Sequence, residues 1–140
     1  SDARLGKERT TVGMDFGEVD LGDGERVRLF GTPGQTRFDF LWRILGKQAL
    51  GIIILVDNSR PSPLVDLAEY LDGFAEALPT MSCTIGIGRT EHHATPSIED
   101  YCDFTARRGL VVPVLPVDVR RRDDVLCLID TVLAQAEARL

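Results

Sequence analysis

Residues 49–56 read ALGIIILV, an unbroken apolar run that constrains the fold more than any other stretch of the chain. A strand with one wet face alternates apolar and polar residues. A continuous apolar run rich in Ile is instead the pattern of a strand buried on both faces, as in a parallel sheet. The run ends in a loop, Asp57-Asn58-Ser59-Arg60-Pro61, and Pro63 then suits the first turn of a helix. Leu64, Leu67, Ala68, Leu71, Phe74 and Leu78 recur at helical spacing until Pro79 closes the helix.

The same unit repeats downstream. Residues 83–88 (CTIGIG) form a third buried strand and residues 89–94 a polar loop. Thr95-Pro96 opens a helix with Ile98, Tyr101, Cys102 and Thr105 on one face and Gly109 as its stop. Residues 110–117 (LVVPVLPV) are a strand whose two prolines place it at a sheet edge. Asp123 is expected to cap a last helix striped by Val125, Leu128, Ile129, Val132 and Ala136.

Upstream of the apolar run, residues 1–9 show no periodicity and are expected to be loop. Residues 17–21 and 26–30 form an antiparallel pair about the turn Gly22-Asp23-Gly24. Gly31-Thr32-Pro33-Gly34 breaks the second strand, Gln35 follows, and residues 38–48, with Trp42, look helical. The order β-β-α-β-α-β-α-β-α predicts a three-layer α/β/α domain with a mostly parallel sheet, one domain over residues 1–140.

Charge and cysteine usage narrow the function classes. A net charge of −6 argues against a general nucleic-acid binder. The one basic run, Arg120-Arg121-Arg122, meets Asp123-Asp124 at once and reads as a solvated helix entrance. Cys83, Cys102 and Cys127 lie far apart on apolar stretches, which suggests reduced core thiols and a cytoplasmic protein. No apolar run approaches the length of a membrane span. His92-His93 has no third ligand nearby and reads as loop.

Two runs carry a resemblance. Arg28-Leu-Phe-Gly-Thr-Pro-Gly-Gln-Thr-Arg-Phe38 resembles the switch II region of Ras-like GTPases, and Thr11-Val-Gly-Met-Asp-Phe16 is similar to a Rab-type switch I. The resemblance implies a P-loop NTPase fold of the Ras-like kind that binds GTP or GDP with Mg2+. Thr11 would then coordinate the metal and sense the γ-phosphate, and Gly34 would be the switch glycine. Gln35 would orient the attacking water, positioning and charge stabilisation being most of what phosphoryl transfer asks of a protein. A subgroup of bacterial small GTPases with a Pro-Gly-Gln switch, the gliding-motility and polarity GTPases, pairs with roadblock-type regulators. Some of these carry an arginine near the switch I threonine that reaches the γ-phosphate, a role that falls to Arg9. Gly88-Arg89-Thr90-Glu91 stands where the family reads the base, so Arg89 and Glu91 are candidate base contacts, a carboxylate being able to accept two guanine protons. Asp118 occupies the place of the last, weakest motif and reads equally as a strand-end polar residue. Asp57, at the end of the apolar run, is expected to serve the following turn.

The departures matter as much. Gly31 replaces the expected Asp, so the metal would depend on threonines and phosphates. The base motif lacks its asparagine, which leaves guanine against adenine open. No G-x-x-x-x-G-K-[ST] loop occurs in residues 1–140. The expectation is therefore a Ras-like domain lacking its first strand and helix, N-terminally truncated and acting as a molecular switch. The alternative is a degenerate interaction module, pseudo-GTPase or receiver-like, that binds no nucleotide.

Overall fold

The structure, a computed structural model, describes residues 51–138 in full and the backbone of residues 6–9, 15–22 and 25–31. The chain forms two compact units, residues 1–44 and 45–140. In the first, β1 (Gly6–Arg9), β2 (Asp15–Gly22) and β3 (Glu25–Gly31) make an antiparallel sheet in chain order. The expected β2–β3 pair is present, in a register that sets Phe16 opposite Phe30 and Val19 opposite Val27, with an irregularity between Asp20 and Gly22. β1 corrects the expectation of loop before residue 10. Its residues pair from Gly6 opposite Glu18 to Arg9 opposite Asp15. Ladder hydrogen bonds come from the main chain, so a short polar strand such as GKER leaves no side-chain pattern to read.

The second unit is an α/β fold around a parallel sheet. β4 (Gly51–Asp57), β5 (Ser82–Gly88) and β6 (Val114–Val117) lie in that order, with β5 central. The connections carry α1 (Pro63–Gly73) and α2 (Ile98–Arg107), and α3 (Arg122–Ala138) follows β6. Pairing puts Asp57 beside Gly88 and Gly88 beside Val117, so the three strands finish level at one edge. The proline-bearing β6 lies at an edge of the described sheet, where a missing N–H costs no ladder bond.

Alternation along the strands sorts the two faces. Ile54, Val56, Ile85, Ile87 and Val114 join Leu67 and Leu71 of α1 and Tyr101 of α2 in one buried cluster. Each fully buried Leu or Ile side chain in it contributes roughly 1.5–3 kcal/mol. On the opposite face α3 buries Leu128, Ile129 and Val132, and Gln135 Nε2 donates to Cys83 O at 3.0 Å and Thr84 Oγ1 at 2.9 Å. Gly86 lets that helix lie close: a Cβ there would stand 3.0 Å from Val117 and 3.3 Å from Leu128.

Helix limits differ from expectation for local reasons. α1 ends at Gly73 rather than at Pro79, and the chain turns through Phe74 into a 3-10 turn over Leu78–Thr80. Leu78 still reaches the core. α2 starts at Ile98 and not at Thr95-Pro96, because Ser97 and Asp100 form a reciprocal capping box. Gly109, at φ 77°, follows its end. α3 starts at Arg122, so Asp123 lies inside the first turn and is not the cap. Only Cys83 of the three cysteines is buried, and burial pushes its thiol up to about 12. Cys102 and Cys127 are exposed, each one residue off the buried positions Tyr101 and Leu128, which corrects the expectation of three core thiols. Among the described residues no helix is long and apolar enough to cross a membrane.

Candidate functional site

Because the strands finish level, the residues that follow them gather at one edge: Asp57 to Arg60 after β4, Arg89 to Glu91 after β5, and Asp118 to Arg120 after β6. The carboxyl end of a parallel sheet is where α/β folds present ligand-binding loops. Sequence analysis singled out Arg89, Glu91 and Asp118, and the fold brings all three to this edge. Arg9 ends β1 in the other unit, opposite Asp15. Thr11, Gly34 and Gln35 lie outside the described residues.

Asp57 serves its own turn. Its Oδ1 accepts from the Ser59 N–H at 2.8 Å and from Ser59 Oγ at 2.6 Å, and these bonds hold its carboxyl below the usual carboxylate range. Arg89 Nε lies 3.7 Å from the other carboxylate oxygen. Arg89 has φ 64°, the left-handed region that costs a residue with a Cβ about 1–2 kcal/mol. Such outliers cluster at binding sites, where the surroundings hold the backbone against the strain.

Asp118 is engaged on every side. Arg120 donates from its backbone N–H and Nε to Oδ1, at 3.0 and 2.9 Å, and from Nη2 to Oδ2 at 2.9 Å. The side-chain bonds come first in pulling the Asp118 carboxyl down to about 2 and in raising Arg120. The Asp118 N–H in turn donates to Asp124 Oδ2 at 2.8 Å, which ties the strand end to the first turn of α3. Glu91 is exposed and within the field of Arg120. Glu91 therefore offers a carboxylate to the solvent, whereas both Asp118 oxygens already have a partner.

Sequence reading missed Asn58. Only 4% exposed, it sends its backbone N–H to Gly88 O at 3.0 Å and its amide Nδ2 to His93 O at 2.7 Å and Pro96 O at 3.0 Å. Its Oδ1 accepts from Tyr101 Oη at 2.5 Å. An asparagine set directly after an apolar strand is the one signal that could have pointed to it. His92 and His93 are exposed, and among the described residues no three His, Cys, Asp or Glu gather as metal ligands.

Beside this edge an open cleft of about 560 Å³ runs between the start of α1 and the length of α2, lined by Arg60, Pro61, Pro63, Thr95, Pro96 and Arg107 among others. Arg60 is spoken for, its Nε 2.6 Å from Asp66 Oδ2. No family model matches the chain, and no curated protein matches it.

Proposed function

We propose that the protein is a GTP-binding switch of the Ras-like kind, with slow hydrolysis assisted by a partner of the roadblock type. Its sheet edge would carry the base contacts. The observation that supports this is the level finish of β4, β5 and β6, which brings Arg89, Glu91 and Asp118, the residues the resemblance assigns to the base, to one sheet edge. The runs TTVGMDF and GTPGQTRF support the phosphate side. Thr11 would hold Mg2+, which when bound neutralises charge on the phosphates, and Arg9 would approach the γ-phosphate. Gly34 would be the switch glycine, and Gln35 would orient the attacking water. Residues 1–140 encode no phosphate-binding loop, so the reading requires one from a longer chain.

One observation favours a second reading, an α/β interaction module that binds no nucleotide: Arg120 occupies both oxygens of Asp118. A fluorescent GTP analogue titrated into the full-length protein separates the two. Saturable binding competed by GTP and not by ATP supports the switch, and no binding supports the module. With binding established, Gln35→Ala should lower turnover more than nucleotide affinity, and equal losses would remove Gln35 from the role.

A further inference from the structure

We propose that Asn58 is a positioning residue that clamps the connection between β5 and α2, and with it Arg89 and Glu91, to the end of β4. Calling the clamped segment a ligand contact rests on the nucleotide reading above; the clamp itself does not.

Residues 91–95 are exposed, so apolar burial does little to fix the segment. Its fixed points are polar. The His93 N–H donates to Arg89 O at 3.0 Å and closes the segment on itself. Beneath it, one buried carboxamide reaches His93, Pro96 and Tyr101, the middle of the loop, its last residues and the first turn of α2, while the Asn58 backbone N–H holds Gly88 O at the end of β5. Asparagine is the side chain this geometry demands, because two carbonyls need two donors and the tyrosine hydroxyl needs an acceptor. A carboxylate at the same point would face two carbonyl oxygens, and an alkyl side chain would leave three polar groups unmet. Asn58 also follows Asp57, which lies beside Arg89, so one turn of β4 anchors both the loop and its strained arginine. Asn58 is buried below the surface a ligand would meet, so it acts through the segment.

Hydrogen exchange on the full-length protein, read segment by segment, tests this. Asn58→Asp should lower protection of amides 90–97 about tenfold at neutral pH while Ile85 and Ile87 in β5 keep theirs. On acidification the new carboxyl protonates, regains one donor and should restore part of that protection, whereas Asn58→Ala should not recover. Tyr101→Phe should show a smaller loss in the same segment. In the same proteins the fluorescent GTP analogue should bind Asn58→Asp at least tenfold more weakly than wild type, with the deficit narrowing at lower pH. Equal loosening of β4, β5 and the segment would make Asn58 an ordinary core residue and overturn the proposal, as would an unchanged segment. Nucleotide binding by Asn58→Asp equal to wild type would overturn the positioning role. A segment that loosens in a protein whose wild type binds no nucleotide keeps the clamp and removes the nucleotide reading.

Discussion

The left-handed backbone at Arg89 makes a prediction that separates conformation from contact. Arg89→Ala and Arg89→Gly both delete the guanidinium and its 3.7 Å approach to Asp57. That pair joins side chains 69% and 42% exposed, so its loss costs at most a few tenths of a kcal/mol. The two variants differ in whether a Cβ must sit at φ 64°. Relieving that strain favours glycine by roughly 1–2 kcal/mol, and the greater freedom of glycine in the unfolded chain takes back about 0.5–1 kcal/mol. Arg89→Gly should therefore be more stable than Arg89→Ala by about 0.5–1 kcal/mol, and equal to or slightly more stable than wild type. Urea unfolding at matched slope reads this directly as a midpoint shift. A glycine variant no more stable than the alanine variant would mean that the backbone there is not left-handed. Both variants should bind the fluorescent GTP analogue weakly if the arginine faces the base, so the residue would be kept at a cost in stability.

Two further outcomes follow from named groups. Ser82 Oγ is buried without a hydrogen-bond partner among the described residues. Ser82→Ala should raise stability by about 1 kcal/mol in the same unfolding assay, and a loss instead would reveal a partner for the hydroxyl. The Asp118 carboxyl is held at about 2 against an ordinary 3.8, chiefly by Arg120. A depressed folded pKa contributes stability above pH 4 that drains away as pH falls toward 2. Asp118→Asn should flatten the acid limb of the stability curve between those values, and an unchanged limb would show the pairing to be thermodynamically idle.

How much was legible depends on what kind of force made each feature. β5 is buried on both faces, as its apolar run predicts, with only the small polar side chains of Ser82 and Thr84 inside. β4 was legible from its apolar run, but Leu55 is 48% exposed, which corrects the expectation of burial on both faces there. The antiparallel partners β2 and β3 showed through alternation and a glycine turn. β1 did not, since backbone pairing asks little of GKER. The capping box at Ser97 and Asp100 was readable from spacing, but the neighbouring Thr95-Pro96 gave a competing start. The exposed Cys102 and Cys127 show the limit of face assignment by composition, for one helical step separates a core position from solvent.

The resemblance named Arg89, Glu91 and Asp118, the apolar runs placed them after strands, and level registers bring them to one edge; their engagements were not legible. Nothing in Asp118-Val119-Arg120 tells whether the acid faces a ligand or its own neighbour two residues on, because both uses need the same residue types. The structure separates the two acids: Asp118 spends its oxygens within its turn, whereas Glu91 stands exposed on a segment held from below. Discrimination between bases at this edge would therefore pass through Glu91, and the sharpness of that discrimination would depend on how firmly its segment is held. On that reading the buried amide at Asn58 would be a condition of specificity as well as of stability.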